Sequence, residues 1–327
     1  MRVYTVILLI CVVCCVLRGG EGPAGGSSSS GIDAAHFAGL CSNMETDHFR
    51  LIHDLRSEQA EAIGQVLEFA YGQFGAYFSR YGFELKHPEL PLEWMCFRRE
   101  GSFADYALAT ERMDLSWLSG YYSSRTNRVA VVGPRRVGRW RGGPEGGAEF
   151  ASAGGEVVDV GLVKIVHEAG HQLAFNTGLQ KRGVMYPMWA TEGVALVFED
   201  CASDYLPTVR YSEARKKRLL ELYREGLLIR LDDFVTMVRV PSGIPEADIY
   251  AQAWGFFLFL CENRTADLRD YFDYLYSLKS GARTAYHLRR EFFESFGEIG
   301  ELEREWSFFL ELSAVSKPFL AGAPNRN

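Results

Sequence analysis

The chain has 327 residues, 47% of them hydrophobic and 24% charged, with a formal net charge of −7. That is enough apolar material for one fairly large globular domain or two closely packed subdomains. The acidic balance argues against a nucleic-acid partner, which needs clustered basic charge.

Residues 1–20 read as a targeting segment. Arg2 gives the positive start, and residues 3–17 form an apolar run of signal-peptide length, short for a spanning helix. Small residues suited to cleavage lie between Gly19 and Ala24. Cys14 and Cys15 raise the alternative of lipidation, although Val13 is not the small residue that usually precedes a lipidated cysteine. The expected location is outside the cytoplasm, periplasmic or extracellular; an uncleaved or lipidated segment would add membrane association. Residues 25–31 are a Gly/Ser linker, so 1–31 are set aside as signal and spacer. Beyond them lie Cys41, Cys96, Cys201 and Cys261, which allow three pairings; a chain of this length does not need staples, and one disulfide or none is expected.

Residues 48–53 have the alternation of a first strand, on which His48 and His53 face opposite sides and cannot form a metal pair. They are expected as surface or edge residues. Ser57 then opens a helical pattern through Ala62, Val66, Leu67, Ala70, Phe74 and Phe78 that ends near Gly82. Residues 92–97 read as a second strand and 102–115 as a short helix. Residues 120–132 read as two short strands around a turn at Thr126-Asn127. The stretch 133–155, rich in Gly and Arg and without a hydrophobic period, reads as a long loop whose cluster Arg135, Arg136, Arg139 and Arg141 is solvated rather than bound to an acidic group.

The chemistry concentrates in residues 160–176. Leu162, Val163, Val166, Ala169 and Leu173 recur at three- and four-residue intervals, which predicts a largely buried helix. It carries His167-Glu168-Ala169-Gly170-His171, an H-E-x-x-H sequence. Residues four apart lie one turn above each other, so His167 and His171 can share one tetrahedral metal ion. Glu168 is turned about 100° away from His167, beside such an ion rather than on it, where it can deprotonate a water. Residues 186–200 predict a second short helix opened by Pro187, and Glu192 interrupts its apolar run. A carboxylate in a buried helix must be paired, protonated or bound to metal. Glu192 follows His171 by 21 positions, room for the chain to turn and return. The predicted metal site is therefore His167, His171 and Glu192, with a fourth position open.

After Asp200 the pattern is helical throughout: 212–225 with a Lys/Arg-rich solvated face, 231–234, the strongly apolar 245–261, 268–278, 282–296 and 301–312. Two side chains in this half could donate a hydrogen bond to a developing oxyanion, Tyr250 and His287. Trp254, one turn after Tyr250, raises the alternative that the tyrosine only extends an aromatic core stripe.

The metzincin extension requires Gly and His where Ala174 and Thr177 stand, and the inverted H-x-x-E-H order is absent. The pattern around His167-Glu168-Ala169-Gly170-His171, followed by Pro187 to Ala195, instead resembles the gluzincin metallopeptidases. More narrowly it looks like the exported bacterial proteins of unknown function grouped with the peptidase MA-like gluzincins. The resemblance extends over about residues 48–311. It implies an α+β, zincin-like fold: a small mixed sheet before the metal helix, mostly helices after it. It also implies a zinc cofactor, a peptide or protein substrate, Glu168 as catalytic base and Tyr250 as the oxyanion donor. It places the strands at 121–132 along the cleft edge, against the alternative of a strand internal to the sheet. Members often carry an acid four positions after the third ligand to buttress a histidine; here Leu196 stands there, and Glu199 is the nearest substitute. The expected division is an N-terminal subdomain at 43–155 and a metal-helix and helical subdomain at 156–315. The expected function is zinc-dependent peptide hydrolysis. The alternatives are a zinc amidohydrolase on cell-wall or lipid amides, and a non-catalytic binding protein, against which the base Glu168 argues.

Overall fold

The computed structural model describes residues 42–89, 91–134, 139–141, 149–151, 160–203 and 211–315. The targeting segment, the Gly/Ser linker and Cys41 lie outside the described residues. The fold is α+β, as expected. Its first half is built on five strands: β1 (Ser42–Glu45), β2 (Phe49–His53), β3 (Leu92–Phe97), β4 (Gly120–Ser123) and β5 (Arg128–Val132). They line up as β1-β2-β3-β5-β4. The central pairs β2·β3 and β3·β5 are parallel, and the outer strands β1 and β4 run antiparallel to their neighbours. The β2–β3 and β3–β5 steps are bridged by helices α1 (Ser57–Arg80) and α2 (Glu100–Glu111), because parallel neighbours need a crossover.

Alternation along the strands sorts side chains to two faces. Phe49, Leu51, Trp94, Cys96, Val129 and Val131 pack with α1 into the main core. Met95, Phe97 and Ala130 face the other way, onto Phe103, Tyr106 and Ala107 of α2. The main core continues without a break into the helical half, through Trp189, Phe256, Tyr271, Phe292 and Trp306.

Of the predicted strands at 121–132, β4 is the sheet edge and β5 is internal, between β3 and β4. Three expectations need correction. His53 is neither exposed nor at an edge, being 5% exposed on a strand flanked by β1 and β3. The stretch 133–155 is not all loop: β6 (Arg139–Arg141) and β7 (Glu149–Ala151) pair antiparallel within it. Strand β1 was not expected, because Ser-Asn-Met-Glu has no alternation of its own.

The second half comprises α3 (Val160–Asn176), α4 (Met188–Ser203), α5 (Tyr211–Glu225), α6 (Leu231–Phe234), α7 (Glu246–Asn263), α8 (Thr265–Ser277), α9 (Ala285–Phe296) and α10 (Ile299–Val315). Helix α4 lies between α3 and α7. Glycines make both approaches close: a Cβ on Gly170 would come within 3.3 Å of the Ala195 backbone on α4, and one on Gly193 within 2.6 Å of Phe257 on α7. Among the described residues no helix is long and apolar enough to cross a membrane. Cys96 and Cys261 are buried free thiols, which rules out the two-disulfide arrangement; the side chain of Cys201, like Cys41, lies outside the described residues.

Candidate metal centre

Helix α3 is fixed to the sheet by the residue after its second histidine. Gln172 is wholly buried. Its Oε1 accepts from Trp94 Nε1 at 2.7 Å on β3, and its Nε2 donates to the Asn127 carbonyl at 3.1 Å in the β4–β5 turn. Asn127 holds a left-handed backbone (φ 59°), a conformation asparagine tolerates better than most residues, and also bonds Asn176 at the end of α3. These contacts set the rotation of α3, and hence where its histidines point.

His167 and His171 are buried one turn apart, their Nε2 atoms 3.0 Å from each other. Glu192 Oε2, on α4, lies 3.5 Å from the first nitrogen and 3.7 Å from the second. One donor atom from each residue falls within 4.8 Å of the others, a group that could hold a metal ion. The surroundings fit that use. Glu199 bonds His167 Nδ1; a proton held there turns the Nε2 lone pair toward the centre. Two imidazole lone pairs 3.0 Å apart repel unless a proton or cation lies between them. Glu192 Oε2 is buried without a hydrogen bond. Two imidazoles and a carboxylate suit a borderline divalent cation such as zinc.

Glu199 is itself held. Arg215 on α5 pairs with its second oxygen and, through Nη1, with Asp200 Oδ1 at 3.3 Å. Asp200 also accepts from Trp254 Nε1 on α7. The buttress expected of the position at Leu196 is thus supplied by Glu199, and Leu196 is a core residue, 2% exposed. Sequence patterns offered no sign of Arg215, which reads as one more charge on an amphipathic helix.

The charges follow from this packing. Burial would raise the Glu192 carboxyl, but His171 and His167 outweigh it and hold it at about 2. Burial would lower His167, yet the charge of Glu199, its bond to the ring and the nearby Glu192 carboxylate raise it to about 10. His171 is lowered, chiefly by burial. Glu199 stays below its ordinary range because Arg215 and His167 overcome its burial.

Glu168 is wholly buried, and among the described residues no side chain bonds its carboxylate. Burial raises it to about 8, with His167 opposing and Glu192 adding to the rise. Tyr250, on the first turns of α7, has a buried hydroxyl without a partner. Its phenol is pushed well above the usual range by burial and by Glu192, Glu246 and Glu168. Those carboxylates bring Tyr250 to the side of the centre. His287 is elsewhere in its duties: it is exposed and its Nδ1 lies 2.9 Å from the Thr284 hydroxyl in the cap of α9.

Compared with known proteins, residues 162–279 match a family model described as a protein of unknown function (DUF1570). The match takes in α3 from Leu162 onward, α4, α5 and α7, and so both histidines, Glu192, Glu199, Arg215 and Tyr250. No curated protein matches the chain.

Proposed function

We propose that this protein is a zinc-dependent peptidase of gluzincin type that acts outside the cytoplasm. The observation that carries this reading is Glu168, a fully buried carboxylate that bonds no side chain among the described residues, next in sequence to His167 of a three-donor group that could hold a metal ion. A buried carboxylate whose burial outweighs the attraction of His167 and Lys164 destabilises a fold. A binding scaffold has no use for one there, whereas a hydrolase needs a base at that position.

Zinc bound at His167, His171 and Glu192 would polarise the scissile carbonyl and acidify water toward neutral pH. Glu168 accepts the proton of the attacking water as its oxygen bonds to the carbonyl carbon. The C–N bond then breaks, and Glu168 passes the proton to the departing nitrogen, leaving an acid and an amine. A carboxyl raised to about 8 by burial has the proton affinity that this transfer in two directions requires. Tyr250 donates its hydroxyl to the developing oxyanion. Strand β4, the sheet edge beside α3, offers backbone groups to an extended substrate.

The test is hydrolysis of a generic unfolded protein by the purified chain, with chelator and with zinc restored. Cleavage should vanish and return. Absence of cleavage in the zinc-loaded chain overturns the peptidase reading.

A further inference from the structure

Glu246 begins α7 one turn before Tyr250. It is 8% exposed, and among the described residues neither carboxylate oxygen has a partner in hydrogen-bond geometry, Tyr250 being the phenol that acts on it. Acidic residues in a first helical turn commonly serve the helix dipole or an ion pair. The neighbouring Asp248 does the latter, gripping Arg218 through both oxygens at 2.6 and 2.9 Å. Among the described residues no cation pairs with Glu246, and it is within electrostatic reach of Glu192 and His167. Among the described residues, three cations of this region act on other carboxylates: Arg215 on Glu199 and Asp200, Arg218 on Asp248, and Lys164 on Glu168.

We propose that Glu246 is a substrate-binding residue whose carboxylate receives a protonated nitrogen of the peptide, its free α-amine or a Lys or Arg side chain beside the scissile bond. The proposal rests on the peptidase reading above and gives it a substrate class. One helical turn separates Glu246 from Tyr250, about 5.4 Å, or one to two residues of extended chain. A carbonyl facing Tyr250 therefore places the cation within a residue or two of the bond cut. Burial, with some help from Glu192, pushes the Glu246 carboxyl up to about 7 against the lowering effect of Tyr250. A cation seated beside it restores full ionisation, so ligand charge and carboxylate charge reinforce each other.

Binding tests this apart from turnover. Three forms of one peptide are titrated by calorimetry into the zinc-loaded Glu168→Gln chain: free N-terminus, N-acetylated, and N-acetylated with one internal lysine. The same series is run on Glu168→Gln/Glu246→Gln. A cationic form should bind at least about tenfold tighter than the neutral form, about 1.4 kcal/mol, and the second substitution should erase the difference. Preference for the free terminus identifies the α-amine, and preference for the lysine form the side chain. Equal affinity of all three forms for the chain retaining Glu246 overturns the proposal and leaves the peptidase reading standing. So does a preference that survives Glu246→Gln. Failure of every form to bind either variant overturns both.

Discussion

Glu199 bonds the Nδ1 of His167 from two turns beyond Glu192 on the same helix. One helix thus presents the carboxylate of the candidate metal group and, on the same face, the carboxylate that orients one of its histidines. Arg215 closes the chain of contacts from α5. Residues that orient metal ligands are typically worth about 10–100-fold in affinity. Glu199→Gln keeps the volume but removes the charge that pairs with Arg215. Zinc affinity, measured against a metal buffer, should fall by about that factor with the circular dichroism spectrum unchanged. An affinity within about twofold of the parent chain would reduce Glu199 to a packing residue.

Glu168→Gln should retain zinc and fold while losing about 10²–10⁴-fold in hydrolysis, the usual contribution of a general base. Glutamine keeps the shape of the buried side chain, which bonds no other side chain among the described residues. Hydrolysis at the parent rate would show that the proton moves by another route.

Tyr250→Phe removes only the buried hydroxyl and its influence on Glu246. We expect kcat to fall at least about tenfold, or about 1.4 kcal/mol of transition-state stabilisation, with zinc content constant. An unaltered kcat would return Tyr250 to the aromatic core that Trp254 suggests.

Gly193→Ala would drive a Cβ to 2.6 Å from Phe257 and push α7 away from α4. Overpacking of this kind costs about 1–3 kcal/mol. Thermal unfolding should show a lowered Tm, and kcat should drop because α7 carries Tyr250. Gly72→Ala, on an exposed turn of α1 with nothing within 4 Å, is the control and should stabilise by up to about 1 kcal/mol. Equal Tm values for Gly193→Ala and the parent chain would mean that the helices are not in close contact there.

The metal centre was legible in the sequence because its geometry is local. The 3.6-residue period and the His-to-His spacing place two ligands on one face of α3, whose bounds at Val160 and Asn176 agree with the expected ones. Glu192 announced itself as a carboxylate inside an apolar run. Strands β3, β4 and β5 were legible for a similar reason: apolar runs bounded by turn residues. What supports the centre was not. Gln172 and Trp94 meet across 78 positions, and Arg215 reaches Glu199 from a helix that reads as solvated. Neither contact leaves a periodic trace. Glu246 could be recognised only once its lack of a cationic partner among the described residues was visible. The β6–β7 pair lies in a stretch whose Gly and Arg content hides the alternation of a strand.

The most direct test of the account is the metal content of the purified chain and of Glu192→Ala, measured by elemental analysis. The account predicts one zinc per chain in the parent, lost or sharply reduced in the variant, because removing one of three protein ligands leaves two histidines that cannot hold the ion alone. Undiminished zinc in Glu192→Ala, or a parent chain that takes up none when zinc is supplied, would contradict it.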